Sequence, residues 1–312
     1  MNENKYTYPG SSLWRLQHLL PLLSAVLLLT AAGCRKEALP GEKQLRLSFH
    51  SASQAGPDAI REIEVFIFDD QLRLISRATG AIGGTLSLDC PQTPTLHCIA
   101  WGNSKDNSLE FSMLQSGDPL DKAYLALTPL SSAQAETQFL NTPPDLYRGA
   151  IQLDNNTTTG SQLAFNMEML PATASIHITI SGLPEITGTM AGNYSIEVNR
   201  PATRIDFEGL PAGTASHRLT GSFNTQKEYI IPPFRLFPPA TGKGIKIAVF
   251  HNGKLLKDIT QTSDRQPILP KAGEELTLLI VFSPDGDAEV RPPGWKPNDI
   301  SRRPSGLRKT IN

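Results

Sequence analysis

Residues 61–75, REIEVFIFDDQLRLI, have the sequence pattern of a β-hairpin. In an extended strand successive side chains point to opposite faces, so Ile63, Val65 and Ile67 share one face, and Phe66 and Phe68 share the other. The polar residues DDQ at 69–71 favour a turn, and the apolar pattern resumes in the following residues. The pattern predicts a hairpin whose first arm is buried.

The same alternation continues along the chain in both directions. QLRLSFH at 44–50 places Leu45, Leu47 and Phe49 on one face of a strand. Further strand candidates, rich in Ile, Val, Thr and aromatic residues, are GTLSLDC (84–90), TLHCIAW (95–101), ASIHITISGL (174–183), YSIEV (194–198), TRIDFEGL (203–210), EYIIPPF (228–234), GIKIAVF (244–250) and ELTLLIVF (275–282). Helical periodicity occurs only around residues 105–127, where we expect a short helix or two.

Many short strands without alternating helices predict an all-β fold of two tandem antiparallel β-sandwich domains. A length of 312 residues fits two ordinary domains. We place the first at residues 44–165 and the second at 166–290, because LDNNTTTGSQ (153–162) is polar and turn-rich and MLPATAS (169–175) begins a new strand. Residues 291–312 are polar and proline-rich, which indicates a flexible tail.

The charge balance argues against one class of partner. The chain has 29 Lys and Arg residues against 30 Asp and Glu residues, a net charge of -1. This balance leaves no excess of positive charge to neutralise a phosphate backbone, so we expect no nucleic-acid partner.

The N-terminal segment has the layout of an export signal. A short apolar run follows a basic region and ends in LTAAGC at 29–34, and the run is too short to span a bilayer. Small residues followed by a cysteine are typical of a bacterial lipobox, which predicts a lipoprotein signal peptide at 1–33, lipidation at Cys34 and a polar tether at 34–43. The alternative is ordinary cleavage near Ala32, which leaves Cys34 as an incidental thiol.

Cys90 and Cys98 are the two cysteines that remain if Cys34 is lipidated. They flank PQTPTLH, whose prolines indicate a turn between two strands. The spacing is consistent with a disulfide in an oxidising compartment, and equally with two buried thiols. Both alternatives stay open on the sequence.

No stretch of the chain carries a known catalytic or cofactor-binding motif. HExxH, GxSxG, a zinc-type Cys and His spacing, and a complete phosphate-binding loop are all missing from the sequence. The six histidines are scattered singly. We therefore expect a protein that is not an enzyme and binds no metal and no cofactor.

Several segments, taken in order, resemble the FimB-type family of minor subunits that anchor type V fimbriae. They are the hairpin at 60–75, HCIAWGN (97–103), PPDLYRGAIQL (143–153), ASIHITISGLP (174–184) and PPGWKPNDI (292–300). The resemblance covers residues 34–300 and implies two transthyretin-like sandwiches. It also suggests two roles for Trp295, an aromatic plug at a subunit contact or a side chain packed over the end of the second sandwich.

The resemblance implies a structural protein that is tethered in the outer membrane by lipid at Cys34, faces outward and holds fimbrial stalk or accessory subunits by β-strand pairing. Lipidation would keep the first strand attached to the membrane, so we expect Leu45, Leu47 and Phe49 to stay in the chain's own sheet. The alternatives are a surface carbohydrate-binding lipoprotein of a glycan-uptake system and a surface hydrolase. With 3 tryptophans the chain has few aromatic platforms for sugar stacking.

Overall fold

The structure, a computed structural model, describes residues 43–51, 59–130, 139–155 and 162–291. Nearly all regular elements are strands, which confirms the all-β prediction. The strands are β1 (Gln44–Ser51), β2 (Ile63–Phe68), β3 (Leu74–Gly80), β4 (Thr85–Asp89), β5 (Thr95–Gly102), β6 (Leu109–Phe111), β7 (Tyr124–Leu127), β8 (Tyr147–Asp154), β9 (Gln162–Pro171), β10 (Ala174–Ser181), β11 (Tyr194–Asn199), β12 (Arg204–Asp206), β13 (Pro211–Ala212), β14 (Ser216–Leu219), β15 (Ser222–Phe223), β16 (Tyr229–Leu236), β17 (Lys246–His251), β18 (Lys254–Ile259), β19 (Glu275–Phe282) and β20 (Ala288–Arg291). The described helices are a 3₁₀ turn at Leu120–Lys122 and a short helix α1 at Leu183–Thr187.

The first seven-stranded sheet has the order β3-β2-β5-β8-β9-β1-β4. β8 and β9 pair only where Tyr147 lies opposite Pro171 and Arg148 opposite Leu170, and they then separate. The two parts of the sheet contribute side chains to one hydrophobic cluster, the inner core, which includes Leu45, Leu47, Ile63, Val65, Ile67, Leu96, Cys98, Leu163, Met167 and Met169.

The predicted hairpin at 61–75 is present as β2 and β3, which pair antiparallel. All six residues of β2 are buried, as predicted for its first arm. The second face of β2, which carries Phe66 and Phe68, is also buried, because it packs against a small sheet of order β13-β12-β7-β6. Between them lies a second cluster, the shared core, which includes Phe66, Phe68, Ile99, Trp101, Leu125, Ala202, Ile205, Phe207 and Phe237.

The rest of the chain forms two further sheets, of order β15-β16-β10-β19-β20 and β14-β11-β17-β18. A third cluster, the C-terminal core, draws on both sheets and includes Ile176, Ile178, Ile180, Ile196, Val198, Ile247, Val249, Leu278 and Ile280. The chain turns from β10 into α1 at Gly182, where φ is 84°. A Cβ atom there would collide with the carbonyl oxygen of Phe282, so only glycine fits this position.

Three expectations differ from the structure in detail. Two strand pairs are parallel, β1 with β9 and β10 with β19, within otherwise antiparallel sheets. The helix predicted around 105–127 is wrong, because this segment forms β6, β7 and one 3₁₀ turn. The predicted boundary between residues 165 and 166 falls inside β9, whose full length belongs to the first sheet. The described residues from Gln44 onward form one compact unit.

Candidate subunit interface

The first strand is held on both sides by the chain's own backbone. β1 pairs in parallel with β9, from Gln44 opposite Gln162 to Ser51 opposite Met169, and antiparallel with β4. Leu45 and Leu47 are fully buried, and Phe49 is 3% exposed. The expectation that these side chains stay in the chain's own sheet is confirmed.

β4 is the edge strand beside β1. Among the described residues, its ladder partner is β1 alone. Thr85 and Ser87 point to solvent, while Leu86 and Leu88 point inward and are half-buried. β4 carries no lysine, arginine or proline, its one charged residue is the terminal Asp89, and its register with β1 is regular. Over Thr85–Leu88 it therefore has none of the charges, prolines and bulges by which proteins discourage strand addition.

Other edges do carry such devices. β18 has Lys254 and Lys257 along it, and its register with β17 shifts between Val249 and Phe250. Lys257 also forms an ion pair with Asp287 at 2.8 Å. The start of β3 is covered, because the Leu74 N–H donates to the carbonyl of Asp118 and the Leu74 carbonyl accepts from Gly117. Lysine side chains and bulges make an edge a poor template for a new strand.

A buried carboxylate ties β2 to its neighbours. Glu64 is 4% exposed and accepts hydrogen bonds from Arg77 at 2.7 Å and from Ser104 at 3.1 Å, with Lys105 at 3.8 Å. The Arg77 guanidinium lies 4.9 Å from the centre of the Phe66 ring. The sequence signal was a single acid within the apolar run IEVFIF. The Glu64 carboxylate is therefore a structural group whose charge and hydrogen bonds are satisfied by side chains of the same fold.

Two clefts lie on the described surface. One, of about 300 Å³, is lined by polar residues of both charge signs, among them Arg61, Glu62, Lys105, Asp106 and Asp145. The other, of about 240 Å³, is mostly apolar and includes Pro171, Ala172, Ile205, Pro211 and Pro238. Neither has an aromatic side chain in its lining on which a sugar ring could stack.

Cys98 is present as a buried thiol and not as half of a disulfide. Burial, and to a lesser extent the nearby Cys90, raises the pKa of Cys98 to about 12. The thiol therefore stays protonated and unreactive near neutral pH. Cys90 is partly buried. The choice between a disulfide and two buried thiols stays a prediction.

His217 on β14 is a buried polar residue that the sequence did not single out. It is 0% exposed, and its Nδ1 lies 2.9 Å from the carbonyl oxygen of Leu140, so Nδ1 carries the donated proton. Within the described ranges its Nε2 has no hydrogen-bond partner. Burial lowers the pKa of His217, and the hydrogen bond to Leu140 opposes this in part.

Two predicted site residues, Cys34 and Trp295, lie outside the described residues. Within residues 43–51, 59–130, 139–155 and 162–291, no group of three or more His, Cys, Asp or Glu side chains is placed to hold a metal ion. The same ranges contain no helix of the length and apolarity needed to cross a bilayer.

A family model, a relative and a solved structure each describe fimbrial anchor proteins. A family model described as the fimbrillin-A associated anchor proteins Mfa1 and Mfa2 matches residues 34–301. The major fimbrium anchoring subunit FimB of Porphyromonas gingivalis strain W83 is 23% identical over 242 residues, which is 71% of this chain and 74% of that protein. The structure of the fimbrial anchor protein Mfa2 from the same species superposes with a TM-score of 0.58 at 15% identity, covering 80% of this chain and 95% of that one.

Proposed function

This chain belongs to the family of fimbrillin-A associated anchor proteins, whose model matches residues 34–301, and on that basis we propose that it holds a fimbrium to the outer membrane through lipid at Cys34. The chain is an anchor or accessory subunit of fimbriae and is associated with the fimbrium at the cell surface. The proposal comprises lipidation at Cys34, attachment to the outer membrane and the way in which a neighbouring subunit is held.

The placement of β1 is the observation that carries this proposal. A subunit inside a polymer joined by strand exchange must vacate one strand position so that its neighbour can fill it. In this chain that first position is filled by residues 44–51, with ladders to both β4 and β9. A subunit whose first strand stays in place suits the end of a polymer.

The lipid tether follows from the sequence that precedes β1. LTAAGC ends at Cys34, and a polar stretch separates this cysteine from Gln44. Each buried methylene of an acyl chain contributes about 0.8 kcal/mol to membrane binding, so two or more chains hold a protein stably without a spanning helix. A pull on the fimbrium would then load β1 directly from its N-terminal end.

We also propose that the chain has no catalytic activity. The family model describes anchor proteins, and the described polar cleft mixes carboxylates with the cationic side chains of Arg61 and Lys105. The carbohydrate-binding alternative is not favoured, since the family model and the curated relative both describe anchors. Trp101 is fully buried and offers no stacking surface.

The test compares three strains: a deletion of the gene, Cys34→Ser, and Cys90→Ser as a control cysteine. Fimbriae attached to cells and fimbriae shed into the medium are counted by electron microscopy and immunoblotting. We expect shedding or overlong fibres in the deletion and in Cys34→Ser, and wild-type attachment in Cys90→Ser. Firmly attached fibres of normal length in the deletion strain would overturn the anchoring role, and the same result in Cys34→Ser alone would overturn the lipid tether.

A further inference from the structure

Apolar side chains at the β4 edge are only partly buried, and this observation bears on where a neighbouring subunit docks. Three apolar residues on β4 or just before it pack against the inner core yet remain partly exposed: Ile82, Leu86 and Leu88. In β1, the next strand inward, the corresponding side chains Leu45 and Leu47 are fully buried. The inner core is therefore less completely covered at β4 than at β1.

The backbone groups at this edge give a second observation that bears on docking. Over Thr85–Leu88 the only described ladder is the one to β1, and no further main-chain hydrogen bond of the described residues reaches this stretch. In a paired strand, alternate N–H and C=O groups face away from the partner. An extended strand satisfies such a row, whereas a helix, whose backbone groups are already paired internally, does not.

We propose that β4 is the docking edge for a neighbouring fimbrial subunit, which adds an extended strand beside Thr85–Leu88. This inference rests on the proposed anchoring function and specifies its contact surface. The added strand becomes the new edge of the sheet. It also lies only one strand away from β1, so the load passes from partner to tether across two ladders.

The pleat of β4 determines what the added strand must contain. Side chains alternate between faces along a strand, and directly opposed residues share a face. Residues of the partner opposite Leu86 and Leu88 therefore face the inner core and are apolar, at positions two apart. Residues opposite Thr85 and Ser87 face solvent and are polar. The partner is thus a strand with alternating apolar and polar residues.

Site-specific cross-linking tests the edge in cells that make fimbriae. A photoreactive amino acid is placed in the full chain at Ser87, and in a second strain at Lys254 on the lysine-bearing strand β18. Both positions are exposed, so both probes reach solvent. We expect a cross-link from position 87 to a fimbrial subunit, identified by mass spectrometry, and none from position 254.

A matched pair of substitutions tests the same edge by function. Leu88→Lys puts a charge on the inward face of β4, where an added strand would bury it without a partner. Leu255→Lys puts the same charge on β18, where Leu255 is 44% exposed. We expect Leu88→Lys to shed fimbriae to the level of the deletion strain, and Leu255→Lys to retain them. Thermal melting of both purified variants checks that each is folded.

The outcomes separate this inference from the function on which it rests. If the deletion strain sheds fimbriae while position 87 gives no cross-link and folded Leu88→Lys retains its fibres, the β4 edge is overturned and the anchoring role stands. If the deletion strain keeps normal attached fibres, the anchoring role itself is overturned. A cross-link to a fimbrial subunit from position 254 alone would move the docking edge to β18.

Discussion

His217 shows how one buried side chain makes stability depend on pH. Its ordinary pKa is 6.5, and burial lowers it in the folded chain. Between these two values the unfolded chain binds a proton that the folded chain does not, so acid favours unfolding. The stabilisation is present above pH 6.5 and is lost as the pH falls through the folded pKa of His217. Each pH unit in this window costs up to about 1.4 kcal/mol.

We therefore expect the free energy of unfolding to fall between pH 7.5 and pH 5.5, measured by urea denaturation. His217→Asn keeps a side-chain N–H near the carbonyl of Leu140 and does not titrate. The free energy of unfolding of this variant should therefore fall less over the same range, by up to about 1.4 kcal/mol for the pH unit below 6.5. His50→Asn, which changes an exposed histidine of β1, serves as the control. Equal acid sensitivity in the wild type and in His217→Asn would show that other groups carry the pH dependence.

At the scale of elements, β1 is the strand on which the proposed anchoring role depends. Leu47 is fully buried, with Leu86 and Phe165 beside it on the flanking strands. Truncation of a buried leucine to alanine costs about 2–5 kcal/mol through lost burial and a residual cavity. We expect Leu47→Ala to lower the free energy of unfolding by this amount, measured by urea denaturation.

Arg46→Ala is the matched control, because Arg46 is exposed and makes one long hydrogen bond to Gln162 at 3.3 Å. Its effect should stay within about 0.5 kcal/mol. Amide hydrogen exchange gives an independent check, since β1 should be protected as strongly as β9. Rapid exchange throughout β1 beside a protected β9 would contradict a first strand that stays in place.

Individual strands were predictable because their signal is local. The alternation in residues 44–50, 63–68 and 174–181 corresponds to β1, β2 and β10, whose inward residues are buried. The segment at 105–127 misled because Leu120, Ala123 and Leu127 all face the shared core although they belong to a 3₁₀ turn, the residue after it and β7. Their spacing of three and four residues imitates one face of a helix. The parallel pairing of β1 with β9 was not predictable, since strands so far apart in the chain leave no joint pattern in the sequence.

The interface was predictable only in part, for a similar reason. The sequence predicted that β1 is a strand of the chain's own sheet, because its inward residues and the nearby Cys34 are visible in one stretch. It did not identify β4 as an open edge. Edge position depends on which strands pair, and the half-burial of Leu86 and Leu88 depends on the distant strands that surround them.

At the scale of the whole molecule, the later part of the chain completes the core of the earlier part. β12 pairs with β7, with Ile205 opposite Leu125. Arg148 donates two hydrogen bonds, at 2.9 and 2.6 Å, to the carbonyl of Phe207. The Phe207 ring lies 4.8 Å from that of Phe66 and 5.7 Å from that of Trp101. The predicted boundary therefore falls within the first sheet, while the shared core extends past it to Phe237.

This arrangement predicts that residues 44–172 do not fold stably alone, because they lack the strand and side chains that cover Phe66 and Trp101. Trp101 is the one tryptophan in both 44–172 and 44–291, so its fluorescence reports on the shared core in each. We expect blue-shifted emission and a cooperative urea transition for 44–291, and red-shifted emission without such a transition for 44–172.

Two substitutions in 44–291 separate the shared core from general destabilisation. Phe207→Ala should cost about 3–5 kcal/mol and shift the emission of Trp101 in the folded protein. Phe282→Ala removes a side chain of the C-terminal core that is 4% exposed, and should cost a similar amount while the Trp101 emission of the folded protein stays unchanged. If 44–172 unfolds cooperatively with a buried Trp101, the first half builds its core unaided, and the contacts of Phe207 add stability to a domain that is already complete.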